Sequence, residues 1–486
     1  LSSLKLRDIF AGKLLAQLLA FFVSVCAVIL SVRGFMAFPI EWDFLAYHLP
    51  FALRHYGLTT FQPNEFLMML YDVFPPTAHY VQGALILLFQ NPSAAALLNG
   101  LGFFCCLGLL KRMYPTIALS KMMLAILAMP VVLFQIGSGY IDLWVATWVW
   151  IAFIGAVKFV EDGCKSWKIA STIFAGLAIS ASSKYQAWPF CAVLLLFLFL
   201  GMVTQTSQRG DNRMGIGQRA AILGIAVLCT AAWPVRNFIK YGNPTYPLQP
   251  PIISKLVKFK GTEIGPEERK GQFPIYLRDA SNPRMFLESA LELNRLQESA
   301  ESFKYSIDQG GYRGGAETPH HRMGGWTPYV VMGCLVFGLW RWLIELRHNR
   351  MTAASLPFGV VAVSAGILLF IPQNHELRYW TFLPLCMIFL LFKPLPSTEK
   401  AYSKALVAYF CGAFAITNIN LIDIYRLRRG SAAQYYPAEA RESVEQMLQA
   451  GINKDNEPAC IGSHTPWDIY WAGANFNEVA VKVCKQ

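Results

Sequence analysis

Apolar segments long enough to enter or cross a bilayer recur along most of the chain, and no other feature restricts the fold as strongly. They lie at about 14–38, 74–90, 93–110, 120–135, 141–160, 168–182, 186–204, 220–238, 327–344, 353–372, 377–393 and 403–421. A helix rises about 1.5 Å per residue, so some 20 residues cross the roughly 30 Å hydrocarbon core. No water reaches the backbone there, so a spanning segment must satisfy its own hydrogen bonds as a helix. Charged residues are 15% of the chain, against about 25% in soluble domains. The pattern predicts an all-α polytopic membrane protein.

Basic clusters set the sides. Lys5, Arg7 and Lys13 precede the first run, and Lys111, Arg112 and Lys121 flank a short turn. Further clusters are Lys158/Lys165/Lys168, Arg209/Arg213/Arg219, Arg341/Arg347/Arg350 and Lys393/Lys400/Lys404. Placing all six in the cytoplasm satisfies the positive-inside rule. Two apolar runs then fall where one crossing is required. Segment 74–90 is short and follows Phe74-Pro75-Pro76, so it reads as a partial element. About eleven crossings remain, with the amino terminus cytoplasmic and the carboxyl terminus outside. Segment 14–38 exceeds the apolar core of a cleaved leader and reads as a retained helix. The net charge of +12 sits in these short clusters and not in a phosphate-binding stripe, which argues against nucleic acid.

Residues 1–421 thus form a transmembrane module with outer loops at 39–73 and 239–326, the second holding a helical stretch near 283–304. Residues 422–486 read as a small α/β unit: a helix at 437–450, a helical turn at 467–472 and strands at 459–462 and 479–483. Eight of the eleven cysteines lie inside apolar runs, where Cys packs as a small hydrophobe. Cys460 and Cys484 fall on the two strands, and either a disulfide or two free thiols fits them.

Ionisable groups beside membrane helices are costly, and here they gather at the outer ends. Glu41, Asp43, Tyr47 and His48 follow the first run; His79 follows Pro75-Pro76; Asp142 and Lys184 each join two runs. Arg236 ends another, and His375-Glu376-Leu377-Arg378-Tyr379 forms a further short outer turn. Each alone has an ordinary explanation. Asp142 could cap a helix, Lys184 could snorkel, His48 and His79 could be interfacial rings, and Arg236 and Arg378 could anchor headgroups. Their shared side is the stronger signal.

The stretch from Glu41-Trp42-Asp43 through Tyr47-His48-Leu49-Pro50 resembles the first-loop motif of bacterial GT-C-fold glycosyltransferases. That family includes polyprenyl-phosphate-sugar-dependent aminoarabinose and protein mannosyl transferases. Phe74-Pro75-Pro76, Asp142, Ser183-Lys184-Tyr185, Arg236-Asn237 with Gly242-Asn243-Pro244-Thr245-Tyr246-Pro247, and Arg378-Tyr379 follow in the family's order. The resemblance covers roughly residues 10–420. The acid pair of some protein mannosyltransferases is missing, because Phe44 follows Asp43, and the Trp-Trp-Asp signature of oligosaccharyltransferases is absent.

The resemblance implies a GT-C-like bundle in the bacterial inner membrane with a periplasmic active site. There a sugar passes, with inversion, from a polyprenyl-phosphate donor to a hydroxyl of a glycan, lipid or protein acceptor. Asp43 stands at the family's base position, since an inverting transfer needs a carboxylate within reach of the attacking hydroxyl. Asp142, with Glu41, is the candidate second acid, orienting the acceptor or holding a cation; Mg²⁺ or Mn²⁺ would fit such a role. Lys184, Arg236, Arg378, His48, His79 and Tyr379 are candidates for the donor and its phosphate. A transporter or flippase for a lipid-linked glycan would instead require ionisable groups near the midplane and an internal repeat, and neither is visible. A non-catalytic subunit on the same scaffold is the remaining alternative.

Overall fold

The computed structural model describes residues 13–36, 41, 43–57, 65–206, 215–247, 261, 277, 279–291, 325–347, 351–371, 374–395, 399–421, 459–461 and 481–483. These are overwhelmingly helical. In chain order the helices are α1 (Lys13–Met36), α2 (Leu49–His55), α3 (Glu65–Val73), α4 (Thr77–Phe89), α5 (Leu97–Met113), α6 (Leu119–Ile126), α7 (Pro130–Ile136) and α8 (Asp142–Glu161). They continue as α9 (Trp167–Ala181), α10 (Trp188–Thr206), α11 (Ile216–Tyr241), α12 (Asn282–Leu291), α13 (Pro328–Arg347), α14 (Met351–Leu368), α15 (Phe382–Phe392) and α16 (Lys400–Asn420).

The bundle is organised around α8. Its sequence is apolar on every side, and a helix of that kind is stable only when enclosed. It is almost wholly buried, packed by α5, α9, α10 and α15. Helix α11 shows the opposite pattern, presenting Leu228, Val235, Phe238 and Ile239 outward as a lipid-facing helix does.

Among the described residues, five helices are long and apolar enough to cross a membrane, and six if α6 and α7 count as one broken span. The chain is therefore a helical membrane protein, but eleven full-length crossings are not reached. Helix α9 has 15 residues and α15 has 11, about 22 and 17 Å of rise, short of a hydrocarbon core. Hydropathy along the sequence counts apolar residues and is blind to the turns that shorten a helix. The 13-residue α4 is likewise too short to span alone, in keeping with a partial element at 74–90.

The single crossing expected at 120–135 is two helices meeting at 100°. Pro130 cannot continue a helix from Met129, so α6 ends and α7 starts anew. The freed main chain is satisfied by neighbours: Thr417 Oγ1 donates to the Ala128 carbonyl at 2.8 Å and Asn418 Nδ2 to that of Leu127 at 3.2 Å. Irregular backbone inside a membrane protein persists only with such partners.

Polar contacts collect at the two ends of α8, whose 20 residues separate them by about 29 Å. At the Glu161 end, four of the six basic clusters meet. Lys393 pairs with Glu161, and Tyr114 donates to Glu161 at 2.7 Å. Arg341 bonds Glu345 at 2.7 Å and the Lys393 carbonyl at 2.6 Å, Lys158 lies over the Tyr114 ring, and Lys111 bonds the carbonyl of Ile117. The Asp142 end carries the candidate site.

Within the 239–326 loop the first part of the helical stretch expected near 283–304 is α12, from Asn282 to Leu291, and 292–304 lie outside the described residues. In the tail, β1 (Ala459–Ile461) and β2 (Val481–Val483) pair in parallel, with Cys460 opposite Lys482. The expected helix at 437–450, the turn at 467–472, Cys484 and hence any Cys460–Cys484 bond lie outside the described residues, as does Trp42.

Candidate functional site

Two close backbone approaches bring the segment after α1 to the start of α8. Gly34 near the end of α1 rests on Gly137 just beyond α7: a Cβ on Gly34 would overlap the Gly137 main chain, and one on Gly137 would overlap the Leu30 carbonyl. Gly139 lies flat against the ring of Phe44, again with no room for a side chain. Phe44 opens a single π-helical turn, Phe44–His48, that runs into α2. Such turns are uncommon and occur often at functional sites. Asp43 precedes the turn without capping it, so its carboxylate is free to point elsewhere.

It points to Arg378. The guanidinium Nη2 donates to Asp43 Oδ2 at 2.9 Å and to the Tyr379 hydroxyl at 3.0 Å. Arg378 lies in a 3₁₀ turn, Leu377–Trp380, and is only 2% exposed. Its guanidinium carbon is 4.2 Å from the Tyr140 ring centre and 4.8 Å from that of Tyr379. Glu376 Oε2 is 3.4 Å from Nε, and Asp142 Oδ2 is 3.7 Å away. Burial alone would weaken the charge, but Tyr140, Tyr379, Asp43 and Glu376 outweigh it and push the pKa well above its ordinary value. Arg378 Nε and Nη1 make no hydrogen bond among the described residues.

Asp142 is the first residue of α8, where the helix dipole favours a carboxylate. Its fully buried side chain takes Lys184 Nζ on Oδ1, while Oδ2 has no hydrogen bond among the described residues. Lys184 also stands 4.2 Å from the centre of the Tyr379 ring. Trp144 Nε1, two residues beyond Asp142, donates to Ser183 Oγ at 3.2 Å and so ties the Lys184 turn to α8. Asp43, Arg378, Asp142, Lys184 and Tyr379 therefore form one connected cluster drawn from four separate segments.

His48 and His79 share a hydrogen between Nδ1 and Nε2 at 2.8 Å, and both are buried. Burial, with His79, Lys184 and Arg378 nearby, holds His48 well below its ordinary pKa, so it stays neutral. His48 Nε2 lacks a partner among the described residues.

Two candidates have other duties. Arg236 Nη2 pairs with Asp72 Oδ1 at 2.7 Å and Lys240 takes the second oxygen at 2.5 Å. Trp233, Asn237 and Tyr185 all donate to the carbonyl of Val73. This set anchors the turn before Phe74-Pro75-Pro76, and its ion pair is separate from that of Arg378. Glu41, 2% exposed, accepts the Gly139 N–H at 3.3 Å. Burial pushes its pKa up to about 7 despite that bond and the nearby Arg33 and Arg378.

The donor set does not fit Mg²⁺ or Mn²⁺. Hard cations of this type need several oxygen ligands, whereas Asp142 is engaged by Lys184 and Asp43 by Arg378. No group of three or more His, Cys, Asp or Glu with metal-binding placement occurs among the described residues.

The sequence pattern assigns no role to Asn99, Gln82 or Asp72, and Tyr140 belongs to the outer Tyr140-Ile141-Asp142 stretch without a role of its own there. Tyr140 stands two places before Asp142, and Asn99 is a lone amide inside an apolar run, whose cost of burial is the signal that could have marked it. The chain matches no protein-family model, no curated protein and no solved structure.

Proposed function

We propose that the chain is an inverting GT-C-type glycosyltransferase of the bacterial cytoplasmic membrane. It moves a sugar from a polyprenyl-phosphate donor to an acceptor hydroxyl at the outer surface. The observation that carries the reading is the Asp43–Arg378 contact: a carboxylate suited to act as base touches a buried guanidinium whose Nη1 makes no hydrogen bond among the described residues. Asp43 takes the proton of the acceptor hydroxyl as its oxygen attacks the anomeric carbon. The bond from that carbon to the phosphate oxygen breaks, and the electron pair leaves with the lipid phosphate. Arg378 and Lys184 meet the added charge, in a buried setting where fixed cations act strongly.

Asp142 holds Lys184, and Tyr140 and Tyr379 fix the guanidinium plane. Neutral His48 offers Nε2 to a sugar hydroxyl. The polar groups sit at the ends of α8, which favours an interfacial reaction over carriage through the midplane. In this reading α1, α14 and α16 also cross the membrane, and the shorter α9 and α15 complete two further crossings together with the turns that adjoin them, giving eleven crossings with the amino terminus inside and the carboxyl terminus outside. The test is turnover of polyprenyl-phosphate sugar by purified Asp43→Asn, which should be lost while the protein stays folded.

A further inference from the structure

We propose that Asn99 is a positioning residue that fixes Asp142 relative to Asp43, an inference resting on the reading that both acids serve the transfer site. Asn99 lies on α5, fully buried in an apolar run. Its Nδ2 donates to the carbonyls of Gln135 at 2.9 Å, Ser138 at 3.2 Å and Tyr140 at 2.7 Å. Its Oδ1 accepts the Trp144 N–H at 2.8 Å. The Gln135 carbonyl is among the last of α7 and the Trp144 N–H among the first of α8, groups that a helix leaves unpaired. One side chain thus caps the end of one helix and the start of the next, and clasps the connector 137–141 between them.

The same connector is gripped from the Asp43 side. Gly139 donates its N–H to Glu41 Oε2 at 3.3 Å and packs on Phe44, and these two residues flank Asp43. Gln82 Nε2 on α4 donates to the Gly139 carbonyl at 2.8 Å. Tyr140, within the connector, lies against the guanidinium of Arg378. A shift of the connector would therefore move Asp142, Tyr140 and the loop of Asp43 against one another. A buried amide hydrogen-bonded at both its oxygen and its nitrogen, as Asn99 is, holds its partners stiffly, and a site misplaced by about 1 Å loses about a hundredfold in rate. A purely structural Asn99 would lower stability without singling out the chemical step.

The experiment uses the full chain in nanodiscs with Asn99→Leu, which keeps volume and removes every bond, and Asn99→Ser, which keeps a donor and an acceptor. In Asn99→Leu, amide exchange at 138–145 should rise about tenfold or more while exchange in α9 and α10 stays put. Turnover should fall roughly ten- to a hundredfold with donor KM changed by less than about threefold, and Asn99→Ser should recover part of both. A folded Asn99→Leu with unchanged exchange and turnover overturns the proposal. So does an equal turnover loss in Thr417→Val, a remote variant destabilised at the α6–α7 break. Should Asn99→Leu fail to fold, Asn99→Ser and Gln82→Leu decide: faster exchange at 138–141 with lower turnover supports the proposal, and no change overturns it. Absence of transfer by the unaltered chain defeats the proposed reaction, while the exchange arm still reports whether Asn99 holds the connector and Asp142.

Discussion

Arg378 donates a 2.9 Å hydrogen bond to Asp43 across 335 residues of sequence, joining the segment after α1 to the turn before α15. The contact has two consequences. It ties the Asp43 carboxylate to a fixed partner, and it aims a planar cation at the same point.

A planar group is required because Arg378 lies against two tyrosine rings while it bonds Asp43. Lysine offers a point charge and cannot reproduce this geometry. Arg378→Lys should lower turnover by about a hundredfold or more with near-normal protein yield. Steady-state assays with a polyprenyl-phosphate donor check this; activity within a few-fold of the unaltered chain would remove the guanidinium from the site.

Asp142 and Lys184 form a pair with almost no access to solvent, 0% and 12% exposed. Removing one partner strands the other's charge, at a cost of roughly 3 kcal/mol or more. Asp142→Asn and Lys184→Met should each lower the thermal midpoint. The double variant should regain much of that loss without regaining transfer. Additive losses in the double-mutant cycle would show that the two groups do not interact.

Glu41 gives a pH signature. Its pKa rises from 4.5 in the ordinary state to about 7 in the fold, because the carboxyl is buried. Between those values the folded chain holds a proton that the unfolded chain releases, so stability falls as pH rises through the window. The loss approaches roughly 3 kcal/mol above pH 7. Glu41→Gln removes it, so the variant should gain thermal stability relative to the unaltered chain from pH 5 to 8. Parallel profiles would contradict a buried, titrating Glu41.

Arg236 should behave differently from Arg378. Its pair with Asp72 is about one-third exposed on both sides, and such pairs contribute about 1 kcal/mol or less. Arg236→Gln should cost little stability and leave donor KM within about twofold. A large rise in donor KM, read by titrating the lipid-linked sugar, would return Arg236 to the phosphate.

Asp43, Asp142, Lys184 and Arg378 were legible in the sequence because a charge at the edge of an apolar run must have a partner or a use. Arg236 carries the same signal, and only folding reveals that its partner is Asp72. Asn99 was hidden because its shorter bonds all run to main chain, and its one side-chain contact, Ser138 Oγ at 3.5 Å, carries no charge to mark the pair in sequence. Helix existence was readable from hydropathy, whereas helix length was not. Pro130 divides one apolar run into two helices, and the turn at Leu377–Trp380 takes four residues from another. The strand segments Ala459–Ile461 and Val481–Val483 fall within the stretches expected from their β-branched and apolar content.

The most direct measurement is single-turnover sugar transfer by Asp43→Asn against the unaltered chain, with mass spectrometry of the polyprenyl-phosphate donor and the glycosylated acceptor. Asparagine keeps the size of the side chain and can still accept from Arg378, but it cannot take a proton from a hydroxyl. A fall of about a thousandfold or more, with the donor still bound, is the predicted result. Turnover within about tenfold of the unaltered chain would contradict Asp43 as the base, and with it the account of the site.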